Sequence, residues 1–180
     1  MATSEKVKLV NVRLSYPNIF KKGFYGGVQN KKFDATFIIP KSQKKTIAKI
    51  NSLIGEVLKE DKMKRPSEEK LCIKDGDETD KEEYFDSYTL KALNENRFTT
   101  LNRDKTPATI EENPFYGGCY VNAIVSFWTQ KSHGGRVNAN LEGIQFYKDG
   151  EPFGNGPSDT TDHFDDVSYE EDDDYESDEL

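Results

Sequence analysis

From Cys119 to Trp128 the chain alternates without a break. Cys119, Val121, Ala123, Val125 and Phe127 fall on one side, and Tyr120, Asn122, Ile124, Ser126 and Trp128 on the other. A period of two in β-branched and aromatic residues predicts a half-buried strand and excludes a helix there. Four more segments read as strands. Lys6 to Tyr16 sets Lys8, Val10, Val12 and Leu14 against Leu9, Asn11, Arg13 and Ser15, and Pro17 ends it. Phe33, Ala35, Phe37 and Ile39 alternate with Lys32, Asp34 and Thr36, and Pro40 stops the run. Tyr88 to Asn94 is shorter. Arg136 to Phe146 follows Lys131-Ser132-His133-Gly134-Gly135, whose glycines suit a hairpin connection.

One segment has the other period. Ile47, Ile50, Ile54, Val57 and Leu58 make a single apolar stripe on a helix that Ser42 is placed to cap and that runs to about Glu60. Lys44, Lys45, Lys49 and Lys59 then face away, as a solvated surface. Residues 61–83 are polar and charged and read as an extended loop, and Asp149-Gly150 marks a turn. Five strands, with one helix between the second and third and no internal repeat, predict a small closed or nearly closed antiparallel barrel, because closure removes exposed edges.

Charge divides the chain in two. From Gly156 to Leu180 there are twelve Asp and Glu and no Lys or Arg, a composition that buries too little apolar surface to fold. The expected organisation is a folded domain over 1–155 and a disordered acidic tail over 156–180. The net charge of -8 conceals a body that carries all 25 basic residues against 21 acidic ones, and residues 1–70 alone hold 16 against 7. No apolar run nears the roughly 20 residues that cross a bilayer. Met1 to Lys8 has no apolar stretch of signal-peptide type, so the Ser-Asp-Glu-Leu ending reads as an accidental likeness to a retention signal. Cys72 and Cys119 stand far apart and read as reduced thiols in a cytoplasmic protein.

Enzymatic chemistry finds little footing. There are two histidines, no nucleophile–base set, no glycine-rich phosphate loop and no metal-type Cys or His spacing, so no cofactor is expected. Asp75-Gly76-Asp77-Glu78-Thr79-Asp80 resembles a calcium loop but has Asp80 where glycine is needed and Asp86 where glutamate is needed. A solvated acidic loop is the better account, and a magnesium-dependent nuclease built around Asp75 would need metal-dependent cleavage to support it. Aromatics interleaved with cations point elsewhere. A single nucleic-acid strand needs cations along its phosphates and flat side chains under its bases. Phe20, Phe24 and Tyr25 stand beside Lys21, Lys22, Lys31 and Lys32. Arg13, Lys91, Tyr120, Asn122, Trp128 and Arg136 lie on the polar strand faces, and Arg97 and Arg103 in the loop after Asn94. These are the candidate DNA contacts, although any one aromatic on a strand is more often a packing residue.

Several stretches together resemble a family of tailed-bacteriophage single-stranded-DNA-binding proteins. They are Val12-Arg13-Leu14-Ser15-Tyr16-Pro17-Asn18-Ile19-Phe20, Phe33 to Pro40 leading into Lys41-Ser42, Lys74-Asp75-Gly76-Asp77 and Tyr116-Gly117-Gly118-Cys119-Tyr120-Val121. Leu141 to Phe146 and Asp149-Gly150-Glu151-Pro152-Phe153-Gly154 complete the set. The resemblance implies a mainly β, OB-fold-like barrel with one main helix, coating single-stranded DNA in phage replication or recombination within the host cytoplasm. It also implies an acidic C-terminus that contacts replication partners, here Asp172, Asp173, Asp174, Tyr175, Glu176, Asp178, Glu179 and Leu180. Such tails commonly end in an aromatic residue, whereas this one ends in Leu180. The rival reading is an acidic DNA mimic that blocks a host nucleic-acid enzyme; it accounts for the acidic balance but not for the basic first 70 residues. Self-association, DNA site size and DNA-versus-RNA preference stay open at this point.

Overall fold

The computed structural model describes residues 1–153 and 163–168 and, for Tyr25, the backbone alone. In chain order the elements are β1 (Val7–Asn18), β2 (Phe24–Tyr25), β3 (Val28–Gln29), β4 (Phe33–Pro40), α1 (Lys44–Glu60), β5 (Ile73–Asp75), β6 (Ser87–Asn94), β7 (Thr99–Leu101), β8 (Tyr120–Gln130) and β9 (Arg136–Lys148). Seven strands form one sheet in the order β5-β6-β4-β1-β8-β9-β7. It closes where β6 runs parallel to β9, with Ala92 opposite Ala139 and Leu93 opposite Asn140. The closed ring β1-β4-β6-β9-β8 has five strands, and an odd ring of alternating directions must contain one parallel pair. The expected antiparallel barrel therefore holds everywhere in the ring except at this seam. Mainly β with one helix, it has the form of a five-stranded OB-like barrel.

Phe37, Phe127, Leu9, Leu14, Leu90 and Leu141 fill the interior with essentially no exposed surface. Helix α1 lays Ile50, Leu53, Ile54, Val57 and Leu58 against it and turns its lysines outward, as the stripe predicted. The cap differs from expectation. Gln43, not Ser42, is the N-cap residue and makes no side-chain cap bond. Its Nε2 donates instead to the carbonyls of Val10 and Asn11, which fastens the start of the helix to β1.

Three other expectations need correction. The alternation puts Val10 on a face with Val12 and Leu14, but it is 47% exposed, while Leu9, Val12 and Leu14 are all buried. Leu9 pairs with Ala123 and Val12 with Val121, so β1 holds one extra residue against β8. Asn11, at φ 54°, takes up that bulge in the left-handed region that asparagine tolerates, and the alternation inverts across it. Asp34, expected on the outward face of β4, is buried and accepts a hydrogen bond from Asn18 Nδ2 at 2.8 Å. Residues 61–83 are not loop throughout. Leu71 and Ile73 are buried, and β5 pairs with Leu90–Tyr88 of β6 between short 3-10 turns.

Candidate nucleic-acid interface

The outward face of the barrel is open over β4, β6 and the start of β9. Register fixes what stands there. Ser15 on β1 lies opposite Thr36 on β4, and Thr36 opposite Lys91 on β6. Beyond the seam, Asn138 on β9 lies opposite Trp128 on β8. A polar row thus crosses the strands at right angles, from the end of β1 to Trp128, along the floor of a groove of about 1350 Å³. The segment 69–81 with β5 makes one wall, and the β8–β9 turn with Arg136 makes the other. That turn is tight because His133, Gly134 and Gly135 all adopt positive φ, which lets Gln130 and Arg136 pair directly.

Six cations line the groove (Lys32, Lys70, Lys74, Lys81, Lys91 and Arg136) against four carboxylates, Glu69, Glu78, Asp80 and Glu95. None of the six ion pairs among the described residues uses a groove cation. The Lys32 ammonium lies 6.0 Å from the half-buried Trp128 ring. Asn138 Nδ2 donates to Gln130 Oε1 at 3.1 Å, which steadies the floor beside that ring. Cys72 also lines the groove, but burial pushes its thiol up to about 12, so it stays protonated and uncharged. The carboxyl of Glu78 is raised by its hydrogen bond with Glu68. Among the described residues no group of three or more His, Cys, Asp or Glu is arranged to hold a metal ion. No helix among them is long and apolar enough to cross a membrane.

The residues singled out from the sequence divide into three sets. Lys32, Lys91, Trp128 and Arg136 come together in the groove. Lys21, Lys22, Phe24, Tyr25 and Lys31 belong to the connection between β1 and β4, where β2 and β3 form a small hairpin about Gly26 and Gly27. Phe24 is 71% exposed there, Lys22 stands 5.2 Å from the Phe33 ring, and the Tyr25 side chain lies outside the described residues. The third set has internal partners. Arg13 donates to the carbonyls of Gly118 and Glu151 and lies 4.0 Å from the Phe153 ring. Tyr120 carries Lys148 at 4.8 Å, and Asn122 joins Gln145 and the backbone of Asn11. Arg103 donates to Tyr147, and Arg97 donates to the Ile19 carbonyl among the rings of Phe20, Phe33 and Phe98. Asp172, Asp173, Asp174, Tyr175, Glu176, Asp178, Glu179 and Leu180 lie outside the described residues.

Sequence reasoning missed Tyr16, Lys70, Lys74 and Lys81, which line the same groove. One signal was present: Leu71 and Ile73 alternate with Cys72 and Lys74, a short strand inside the segment read as loop.

Known proteins supply an independent comparison. The family model described as Enterobacter phage Enc34, ssDNA-binding protein, matches residues 5–176. The single-stranded DNA-binding protein of bacteriophage Enc34, solved in complex with ssDNA, is 32% identical with a TM-score of 0.75, over 83% of this chain and 89% of that one. Protein p50 of Acyrthosiphon pisum secondary endosymbiont phage 1 is 34% identical, over 92% of this chain and 96% of its own length. Bacteriophage T7 gp2.5, a single-stranded DNA binding protein, shares the fold at a TM-score of 0.56 with 14% identity. With nearly its whole length matched and the same barrel in the solved relatives, the chain belongs to the family of the Enterobacter phage Enc34 ssDNA-binding protein.

Proposed function

We propose that this protein binds single-stranded DNA across the groove, without sequence preference and without catalysing a reaction on it. The observation that carries the proposal is the row running from β1 to Trp128, where an indole and uncommitted cations share one open face. Trp128 stacks under a base, while Lys32, Lys91 and Arg136 meet phosphates with Lys70 and Lys74 on the wall. Stacking and phosphate contacts are indifferent to base identity, which accounts for the lack of sequence preference. Support comes also from the solved relative that holds ssDNA. In OB barrels, the second and third strands and the first loop are the usual nucleic-acid surface, and here these are β4, β6 and the hairpin with Lys21, Lys22, Phe24, Tyr25 and Lys31.

Residues 156–180 act as a separate acidic tail attached to the domain 1–155. Its carboxylates compete with DNA for the groove at high effective concentration and, once displaced, reach replication or recombination proteins in the host cytoplasm. The test is fluorescence anisotropy with labelled oligo-dT at two salt concentrations and a duplex control. Tight, salt-sensitive binding to the single strand is expected, and deleting residues 156–180 tightens it. No binding at low salt by either form overturns the proposal.

A further inference from the structure

We propose that Arg97 is a positioning residue for DNA binding. From the connection between β6 and β7 it clamps both arms of the β2–β3 hairpin and so aims the hairpin lysines at the single strand. This rests on the hairpin being part of the DNA path. The hairpin carries Lys21, Lys22 and Lys31 but has few ties of its own. Strands β2 and β3 have two residues each, paired Phe24 with Gln29 and Tyr25 with Val28, and the turn passes through Gly26 and Gly27 at positive φ. Phe24 and Val28 are exposed, so neither anchors the hairpin in the core. A short two-stranded ribbon holds no fixed direction by itself, and its aim has to be set at its base.

Two bonds at the base join arm to arm. Asn18 Nδ2 donates to Asp34 Oδ1 at 2.8 Å, and the Asn30 N–H donates to the Gly23 carbonyl at 2.7 Å. Arg97 reaches both arms from another element. Its guanidinium donates to the carbonyl of Ile19, the first residue past β1. The guanidinium carbon lies 5.2 Å from the Phe20 ring on the outgoing arm and 4.8 Å from the Phe33 ring where the returning arm enters β4. Phe98, the next residue along, closes the set at 5.5 Å and meets Phe33 edge-on at 6.1 Å. The outgoing arm has one further support, the Phe20 ring against Phe115 at 6.2 Å; Arg97 is the side chain that grips both arms.

The choice of residue type fits a clamp. No ion pair among the described residues uses Arg97, so a carboxylate does not account for its place. A planar guanidinium can lie against rings and donate to a carbonyl at once, whereas an ammonium is a point charge that does one or the other. The clamp also lies where the hairpin meets the groove. Lys22 Nζ stands 5.2 Å from the same Phe33 ring, and Lys32, immediately before Phe33, lines the groove beside Trp128. A hairpin ordered before DNA arrives loses less freedom when its lysines meet phosphates, and that difference appears as affinity.

The full chain is titrated with oligo-dT over a range of salt, beside Arg97→Met, Arg97→Lys and the triple variant Lys21→Ala, Lys22→Ala, Lys31→Ala. Arg97→Met is expected to weaken binding at least about tenfold. It should lower the slope of log affinity against log salt by more than the roughly 0.7 of one phosphate contact, towards the roughly 2 of the triple variant. Arg97→Lys should not restore either quantity, and Arg97→Met should add no further loss in the triple-variant background. A slope change of about one contact that Arg97→Lys restores, additive with the triple variant, overturns the clamp and makes Arg97 a phosphate contact itself. Unchanged binding by Arg97→Met while the triple variant is weakened overturns it as well. If the triple variant binds like the unmodified chain, the hairpin is off the DNA path and the underlying reading fails. A readout without DNA is trypsin cleavage after Lys21, Lys22 and Lys31, at a temperature where every variant is folded. Arg97→Met and Arg97→Lys should be cut there several-fold faster than the unmodified chain, and equal rates overturn the clamp.

Discussion

Two outward faces of this barrel carry the same kinds of side chain and use them in opposite ways. On the groove face, Lys32, Lys91 and Arg136 stand near Trp128 outside any described ion pair. On the other, Arg13, Tyr120 and Lys148 form a cross-strand row, with Phe153 and the Arg103–Tyr147 pair beside it. The difference originates in the backbone. Carbonyls on the groove floor are paired in strand ladders, and among the described residues the cations there make no main-chain bond. The turns at 117–118 and 149–152 leave the carbonyls of Gly118 and Glu151 without a strand partner, and the Arg13 guanidinium satisfies both. Arginine beside an aromatic is therefore a fastening where turns leave acceptors open, and an available contact where ladders do not.

The sharpest way to break that contrast is on the fastened side. Gly118 sits at φ +114°, and a Cβ there would run into the Glu151 carbonyl oxygen, so Gly118→Ala is expected to cost more than about 3 kcal/mol of stability in urea unfolding. Trp128→Ala should cost about 1–3 kcal/mol in oligo-dT affinity, while Tyr120→Ala leaves that affinity unchanged. The two arginines should then separate cleanly. Arg13→Ala loses about 1–3 kcal/mol of folding stability with DNA binding preserved, because charge-assisted bonds to carbonyls disappear. Arg136→Ala keeps its stability within about 0.5 kcal/mol and reduces the slope of log affinity against log salt by about 0.7.

The smallest effect concerns a cation outside the groove that is committed to β5 and the turn after it. Lys41 Nζ lies 2.9 Å from Asp75 and 2.6 Å from Asp77. Asp75 is lowered chiefly by the Lys41 hydrogen bond, and Asp77 chiefly by the Asp86 backbone N–H and then by Lys41. Depressed carboxylates contribute stability that is complete above the ordinary aspartate value of 3.8 and is lost as pH falls through their lower folded values. Acid unfolding of Lys41→Met should show a shallower dependence on pH below about 4 than the unmodified chain.

Much of the architecture was legible because patterning dictated it. The alternation of Tyr120–Trp128 falls within β8, and the stripe from Ile47 to Leu58 lies on α1. What escaped were features created by pairing. Asn11 inverts β1 only because β8 lies opposite with one residue fewer. Strand β7 has three residues and exists as a parallel partner of β9, and β5 likewise depends on β6. Part of the groove followed from single residues, since Trp128, Lys91, Lys32 and Arg136 stood out as cations and aromatics beside polar strand faces. That Tyr16 and Lys81 join them, while Arg13 and Tyr120 do not, depends on register and on which carbonyls the turns leave open. A linear sequence displays neither.

The barrel's closure has a mechanical meaning. Its parallel seam rests on two residue pairs, Ala92 with Ala139 and Leu93 with Asn140, whereas β8 and β9 pair along eleven positions. The seam is the least sewn line in the ring, and it runs beneath the groove. A polymer laid across it acts as a clasp, tethering the β5-β6-β4-β1 half to the β8-β9-β7 half from outside. Amide hydrogen exchange at the seam should slow when oligo-dT is bound, while exchange along the long β8–β9 ladder stays as it was.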